Sequence, residues 1–329
     1  MSVAVRDIAL DRYRADVSPL PVRETTAADA VIRTVAFDRV LLSTPLFFPV
    51  TLDLHAFRDA FQVDGLYLAE AYDAVFDPAF AAGLAPRREA LAAAPPGDAV
   101  AFVLGGSSNH FHWLLDFLPR LASVRPEAPP ALLLVDAAFG PRQAEALEIA
   151  RTALGLPPMP VRPLPDGVVG VRRAEIASAP SRAFAVAFWR RIGGPSAPRR
   201  RLFVRRGAVG RRRLLNEDRI AALLAPAGFE SVAPGALAFA DQMALFRDAA
   251  VVVGTHGAAL ANIVFMAEGG TVAEIVAAGT PTPFPALSQA AGLRHGVLAA
   301  DVMGDTPEAR LNADLTLPEA AIEALLERL

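Results

Sequence analysis

The long apolar stretch at residues 249–279, AAVVVGTHGAALANIVFMAEGGTVAEIVAAG, restricts the fold more than any other feature of the sequence. A membrane span needs roughly 20 consecutive apolar residues. This stretch is interrupted by glycines and by an imidazole, an amide and two carboxylates, at His256, Asn262, Glu268 and Glu274. It is therefore interpreted as two buried strands joined by a helix, in the parallel sheet of an α/β protein.

Apolar runs and helical periods alternate along most of the chain, which is typical of a doubly wound parallel sheet. The predicted strands are 99–106, 131–136, 159–164, 168–178, 201–206, 229–234, 250–255 and 271–277. The predicted helices are 110–124, 141–154, 181–193, 216–226, 239–249 and 256–267, followed by one at the C-terminus. Before residue 99 the pattern is less regular, with strands expected around 33–50 and 63–76.

The boundary between two lobes is predicted from composition. Residues 193–201, GGPSAPRRR, have the composition of a linker. A length of 329 residues also favours more than one domain. We expect two Rossmann-like lobes with parallel sheets. The N-terminal lobe is 1–195, with an irregular, β-rich start at 1–98, and the C-terminal lobe is 196–329.

Composition excludes several kinds of chemistry. The chain has no cysteine and no lysine, so all 32 basic residues are arginine. Disulfides, thiolate metal sites, Schiff-base lysines and a P-loop lysine are therefore excluded. The net charge of -3 gives no indication of nucleic-acid binding. The first residues lack the apolar run of a secretory signal, and the Ala, Arg and Pro bias is typical of high-GC bacteria.

Two histidines and a carboxylate stand out in the apolar segment NHFHWLLDFLPRL, residues 109–121. Asn109, His112 and Asp116 are spaced i, i+3 and i+7, which places them on one helical face. A carboxylate beside His112 would fix its tautomer, as a general base requires. On a helix His110 points away from His112, so a metal pair would need a strand or loop here. A purely structural pair of His112 and Asp116 is the alternative.

The loop GTHGAALAN, which follows the predicted strand 250–255, repeats this layout. Gly254 and Gly257 allow close approach to the backbone, and His256 stands at a helix start, where a phosphate is favoured. A plain strand-to-helix turn with a capping histidine is the alternative. Glu274 is the only charge in the strand TVAEIVA, where it could bind a diol such as ribose or pair with an arginine. Neither loop contains the dinucleotide fingerprint G-x-G-x-x-G.

Eight arginines and no acidic residue occur in the fifteen residues 199–213, RRRLFVRRGAVGRRR. Guanidinium groups bind phosphate through paired N–H groups. Arg205 and Arg206 follow a predicted strand, where ligands bind, and are candidates for a diphosphate clamp. A solvated basic face is the alternative. The net charge and the lack of interleaved aromatic residues disfavour a nucleic-acid patch.

Three blocks of the sequence together resemble the family 61 glycosyltransferases: NHFHWLLDFLPRL, RLFVRRGAVGRRRLLNED and GTHGAALANIVFMAEGGTVAEI. This family includes bacterial capsular polysaccharide biosynthesis proteins, plant xylan-decorating enzymes and animal transferases of the secretory pathway. The resemblance implies a GT-B-like fold, in which two Rossmann-like lobes face a cleft. It also implies a nucleotide-sugar donor, inversion at the anomeric carbon and no essential metal in most members.

The resemblance also assigns residues. The family pattern Asn-x-x-His-x-x-x-Asp falls on Asn109, His112 and Asp116, which are the predicted catalytic residues. Val204 stands where a serine is common, so the role of that hydroxyl is unfilled. The resemblance places donor-binding positions in the second half of the chain, at Arg205, Asn216, His256, Gly257, Ala258, Asn262 and Glu274, and the family's Asn-Glu pair falls on Asn216 and Glu217. Arg206 is added to the predicted donor-binding residues from its position after the strand.

The predicted function is inverting, metal-independent transfer of a hexosyl or pentosyl group. The donor would be a nucleotide-diphosphate sugar, with a UDP-sugar expected, and no other cofactor is needed. The acceptor would be a glycan or lipid-linked glycan in capsular or surface polysaccharide biosynthesis. The expected location is the cytoplasm, with no transmembrane segment and no nucleic-acid partner, while peripheral association with the inner face of the membrane is left open.

Two other functions remain open from the sequence. One is a metal-dependent hydrolase that uses His110, His112, Asp116 and His256 as ligands. The other is a non-catalytic subunit that binds a nucleotide or a glycan. A stoichiometric metal would identify the hydrolase, whereas the subunit would tolerate loss of His112 without a change in the glycan.

Overall fold

The computed structural model describes residues 6–8, 22–27, 30–44, 47–57, 78–95, 97–106, 108–194, 196–206, 212–302 and 313–329. Contacts divide the chain into two compact units, Met1–Phe188 and Trp189–Leu329. The division falls within a helix just before the linker-like segment, and the predicted lobe boundary after residue 195 stays a prediction. In the described part of the chain, no helix is both long and apolar enough to cross a bilayer.

The first unit contains two sheets. Its strands are β1 (Arg6–Ile8), β2 (Val22–Ala27), β3 (Ala30–Phe37), β4 (Val40–Thr44), β5 (Phe48–Thr51), β6 (His55–Phe57), β7 (Ala101–Gly105), β8 (Leu132–Asp136), β9 (Val161–Leu164), β10 (Gly167–Val171) and β11 (Ala174–Ala177). One sheet has the order β2-β3-β11-β7-β8-β9, in which β11, β7, β8 and β9 run parallel. The other has the order β1-β6-β5-β4-β10 and is mostly antiparallel.

The described α-helices of the first unit are α1 (Pro78–Ala93), α2 (His110–His112), α3 (Pro141–Ala153) and α4 (Arg182–Gly193), the last of which crosses the division between the units. Of these, α2 and α3 lie between successive parallel strands, whereas α1 precedes β7 and α4 follows β11. Every residue of β7 is buried, as expected for a central strand that is covered on both faces. The end of β7 is therefore a fixed base for the loop that follows it.

The second unit is one sheet with helices. Its elements are β12 (Arg200–Val204), α5 (Glu217–Leu224), β13 (Phe229–Val232), α6 (Phe239–Arg247), β14 (Ala249–Thr255), β15 (Thr271–Ala277), α7 (Phe284–Ala290), β16 (Arg294–Val302), β17 (Leu315–Thr316) and α8 (Glu319–Leu326). The order is β13-β12-β14-β15-β16-β17, parallel except for β17. The α/β class with parallel strands is therefore confirmed.

Some predicted elements differ in kind from those observed. The predicted helix 110–124 is α-helical only over His110–His112, then forms a π-helix over Trp113–Phe117 and a 3₁₀-helix over Leu118–Ser123. Pro119 has no backbone N–H, so a regular helix cannot continue through it. The predicted helix 256–267 is a 3₁₀-helix over Ala258–Phe265. The expected strand at 63–76 lies outside the described residues.

Candidate functional site

The loop after β7 is shaped by one glycine and one cap. Gly105 has a φ of 119°, and a Cβ there would lie 2.1 Å from the ring of Phe117. Only glycine fits both the backbone conformation and this close contact. Four residues later the side chain of Asn109 accepts a hydrogen bond from the backbone N–H of Phe111 at 2.9 Å. Asn109 is thus the N-cap that begins the helical segment.

His112 and Asp116 form the predicted pair. Nδ1 of His112 lies 2.7 Å from Oδ2 of Asp116, one turn further along the segment. The Asp116 side chain is fully buried, whereas 25% of the His112 side chain is exposed. Asp116 lies within the π-helical turn, and such turns are frequent at functional sites. The segment therefore carries a buried carboxylate beneath a partly open imidazole.

Two buried arginines bind Asp116, one at its side-chain carboxylate and the other at its backbone carbonyl. Nη1 of Arg182, on α4, donates to Oδ1 of Asp116 at 2.6 Å. Nε of Arg120 donates to the Asp116 backbone carbonyl at 2.8 Å. Burial alone would raise the pKa of Asp116, but the charge of Arg182 and the hydrogen bond from His112 outweigh burial and lower that pKa. Burial also lowers the pKa of Arg120 to about 10.

The ionised state of Asp116 determines which nitrogen of His112 carries a proton. A carboxylate can only accept hydrogen bonds. Nδ1 of His112 must therefore donate to Asp116. In the neutral imidazole the opposite nitrogen, Nε2, is then unprotonated. The pair can accordingly accept a proton at Nε2 from a group that approaches the exposed part of the ring.

His110 begins the same segment and is only partly buried. The local backbone is helical from His110 to His112 rather than extended, so the strand or loop that a metal pair would need is not formed. Among the described residues, no group of at least three His, Asp or Glu side chains is arranged to hold a metal ion. The structure thus assembles His112 with Asp116 and not with His110.

A second carboxylate–imidazole pair lies at the carboxyl end of β14. Register pairs Gly254 with Glu274 on the neighbouring strand β15. Nδ1 of His256 lies 2.6 Å from Oε1 of Glu274, whose side chain is fully buried. The hydroxyl of Thr282 donates to Glu274 at 2.8 Å, and Nε2 of His295 lies 3.4 Å from Oε2. This pair is therefore joined across two strands rather than along one helix.

The surroundings of Glu274 answer one of the two alternatives that the sequence left open. In the described part of the chain its ion-pair partners are His256 and His295, not an arginine. Burial would raise the pKa of Glu274, but hydrogen bonds from His256 and His295 outweigh it and lower that pKa. Ser288, which is fully buried, lies 2.9 Å from Nδ1 of His295 and extends the network.

The loop between β14 and the 3₁₀-helix is held by an arginine. Nη1 of Arg206 donates to the backbone carbonyl of His256 at 2.6 Å. A Cβ on Gly257 would lie 2.1 Å from that same Nη1, so only glycine leaves room for the guanidinium. The backbone N–H of Arg206 donates to Glu217 at 2.6 Å, which anchors it to α5. Arg206 is thus placed over the His256–Gly257 peptide.

The other predicted donor residues have structural partners. Arg205 forms ion pairs with Glu217 and Asp218, which raise its pKa against the effect of burial. Asn216 precedes α5, but its side chain does not cap that helix and instead bonds the backbone N–H and carbonyl of Leu317. The fully buried Asn262 donates to Gln242 at 3.1 Å.

Ala258 begins the 3₁₀-helix and is partly buried beside this loop. Five residues in the two networks were not predicted: Arg120, Arg182, Thr282, Ser288 and His295. Arg182 lies 66 residues from its partner Asp116, and no local pattern joins them. His295 lies in the segment GLRHGVL, and nothing in that segment indicated a functional residue either.

The sequence model of the family described as Glycosyltransferase 61 matches residues 110–273. The match begins at His110, includes His112, Asp116 and His256, and ends one residue before Glu274. No curated protein matches the chain. The chain belongs to glycosyltransferase family 61. It is accordingly a glycosyltransferase, an enzyme that takes a sugar donor and an acceptor.

Proposed function

We propose that the chain is an inverting glycosyltransferase that uses His112 as its general base. The observation that carries the proposal is the contact of His112 Nδ1 with the buried, ionised Asp116. Inversion in one displacement needs a base that removes the proton of the acceptor hydroxyl as this oxygen attacks the anomeric carbon. Nε2 of His112 takes this proton, and Asp116 stabilises the imidazolium that forms.

The donor is a nucleotide-diphosphate sugar, with a UDP-sugar expected, and it binds to the second unit. Support comes from the loop at His256 and Gly257, which lies at the carboxyl end of β14, where ligands bind in parallel sheets. Arg206 brings a positive charge to this loop. A departing diphosphate gains negative charge, and fixed cations stabilise it without a metal ion. The lack of a D-x-D motif agrees with metal-independent transfer.

The remaining parts of the proposal rest on the family resemblance. The fold is GT-B-like, and the division of the chain into two compact units supports the presence of two lobes. The acceptor is a glycan or lipid-linked glycan of a capsular or surface polysaccharide. The enzyme works in the bacterial cytoplasm, free or at the inner face of the membrane, and transfers a hexosyl or pentosyl group.

Thermal unfolding in the presence of nucleotides tests the donor assignment. UDP, GDP, CDP and dTDP and their sugars are each added to the purified chain with and without a chelator. A ligand at a hundred times its dissociation constant stabilises by about 2.7 kcal/mol, which is easily detected. We expect a UDP-sugar to raise the melting temperature equally with and without the chelator. A chain that no nucleotide stabilises would refute the donor assignment.

Matched arginine variants test the diphosphate clamp. Arg205→Ala and Arg206→Ala should reduce the stabilisation by UDP. Arg200→Ala is the control, because Arg200 lies at the opposite end of β12 and, like Arg205, is paired with an exposed carboxylate, here Glu230. Equal effects of all three substitutions would indicate a diffuse basic surface instead of a clamp.

A further inference from the structure

We propose that Arg182 is a positioning residue for the transfer reaction: it holds Asp116 as an ionised, oriented acceptor, so that His112 presents an unprotonated Nε2. The inference rests on the proposed role of His112 as the base. Arg182 lies in α4, outside every motif that identifies the family resemblance. Its effect on the reaction is indirect, since it acts through its contact with Asp116.

The two oxygens of the Asp116 carboxylate accept hydrogen bonds from two different donors. Arg182 donates to Oδ1 of Asp116 at 2.6 Å, and His112 lies at Oδ2 at 2.7 Å. Because each oxygen has its own charged or polar partner, the carboxylate cannot rotate without losing both contacts. The Arg182 side chain is only 7% exposed, and its guanidinium lies 5.0 Å from the ring centroid of Phe111. The aromatic ring and burial thus restrict the guanidinium as well.

The start of α4 is itself fixed. Ser181 precedes the helix, and its hydroxyl accepts a hydrogen bond from the backbone N–H of Phe184 at 3.1 Å. This contact has the geometry of an N-cap, which sets where the helix begins. Arg182 is the first residue of the helix, so the cap fixes its backbone position as well.

Charge explains why an arginine is needed there. A buried carboxylate without a cation favours its protonated form, because burial penalises the charge. A protonated Asp116 would carry an O–H that donates to Nδ1 of His112. The imidazole would then carry its proton on Nε2 and could not act as a base. Loss of Arg182 is therefore expected to reverse the tautomer of His112, which a purely structural arginine would not do.

Nitrogen NMR of histidine side chains tests the inference without any substrate. The full chain is labelled with ¹⁵N-histidine, and its five histidines allow His112 to be assigned by its loss in His112→Asn. In the wild type we expect Nδ1 of neutral His112 to carry the proton. In Arg182→Gln we expect the proton on Nε2 or a mixture of tautomers, and Arg182→Lys should restore the wild-type signal. Arg33→Gln is the control, because Arg33 pairs with Glu24 on the surface of the same unit.

Activity and folding are measured on the same variants. With the UDP-sugar that stabilises the chain, Arg182→Gln should lower kcat at least about tenfold and leave KM unchanged, as expected for a general base that is held in the wrong tautomer. If Arg182→Gln does not fold, the double variant Asp116→Asn, Arg182→Gln removes both buried charges. This double variant should regain the melting temperature but not the single tautomer or the activity.

The outcomes separate the inference from the function on which it rests. A folded Arg182→Gln protein with the wild-type tautomer and kcat would overturn the role of Arg182, while an inactive His112→Ala protein would still support the base. If His112→Ala retains transfer, the proposed base is wrong whatever Arg182 does. Recovery of full activity in the double variant would also overturn the inference, because no ionised carboxylate would then be needed.

Discussion

Two buried carboxylates of this glycosyltransferase, Asp116 and Glu274, each bind an imidazole in the same way but differ in what balances their charge. In each pair the histidine Nδ1 lies within 2.7 Å of a carboxylate oxygen. Asp116 places its other oxygen on Arg182, which is always charged. Glu274 is instead surrounded by Thr282 and two histidines, all of which can be neutral.

Because of this difference, we propose different roles for the two pairs. Asp116 and Arg182 together carry no net charge, so the carboxylate stays ionised while His112 gains and loses a proton. Glu274 has no fixed cation among its described partners, and its hydrogen bonds join β15, the loop at His256 and the segment that carries Thr282. The first pair is suited to proton transfer, and the second to holding the loop that we propose for the donor.

Isosteric neutral substitutions should show the difference as unequal losses of stability. Asp116→Asn leaves the buried Arg182 without its counter-charge, and breaking a buried ion pair costs about 3–5 kcal/mol. Glu274→Gln leaves groups that can be neutral and still form hydrogen bonds, so about 1–2 kcal/mol is expected. Urea unfolding at pH 7, followed by a probe in each unit, measures both. Equal losses would mean that the fixed charge of Arg182 does not distinguish the pairs.

Acid should reduce the loss of stability that Asp116→Asn and Glu274→Gln each cause. The folded pKa of both carboxyls is lowered, so each ionised group contributes stability in full above its unfolded pKa, about 3.9 for Asp and 4.3 for Glu. That contribution is lost as the pH falls through the lower folded pKa. The stability gap between wild type and Asp116→Asn or Glu274→Gln should therefore narrow below about pH 4. A gap that stays constant from pH 7 to pH 3 would show that these carboxyls are not linked to folding.

The smallest effect is expected from the glycine of the second loop. In Gly257→Ala the new Cβ would displace the guanidinium of Arg206 and remove its bond to the His256 carbonyl, which costs about 0.5–1.5 kcal/mol. Stabilisation by UDP should fall as well, because the cation moves off the loop. Gly296→Ala is the control, since a Cβ there meets nothing within 4 Å. Unchanged UDP binding in the Gly257→Ala protein would show that Arg206 does not take part in donor binding.

Local spacing predicts the first pair almost completely, and the second only in part. His112 and Asp116 are i and i+4 on one helical segment, so their contact follows from helix geometry even though part of that segment is π-helical. His256 and Glu274 were both singled out, but their contact depends on which strands of the sheet are neighbours. For Glu274 the sequence left an arginine partner open, and the sheet brings histidines instead.

The least predictable features come from tertiary packing and irregular backbone. Arg182 reaches Asp116 through a tertiary contact between α4 and the segment after β7. No periodic pattern in the sequence indicates this contact. The helix α1 was not predicted because Gly83 and Pro86 interrupt its pattern. The bonds of the Asn216 amide to the backbone of Leu317 could not be predicted from the sequence, because β17 and the turn after it bring Leu317 near.

Kinetics of two histidine variants test the central claim most directly. Transfer from the stabilising UDP-sugar is measured for His112→Ala and His256→Ala, together with stabilisation by UDP. We predict that His112→Ala lowers kcat by about 10²–10⁴-fold and leaves UDP binding unchanged. His256→Ala should instead weaken UDP binding. A His112→Ala enzyme with wild-type kcat would contradict the account.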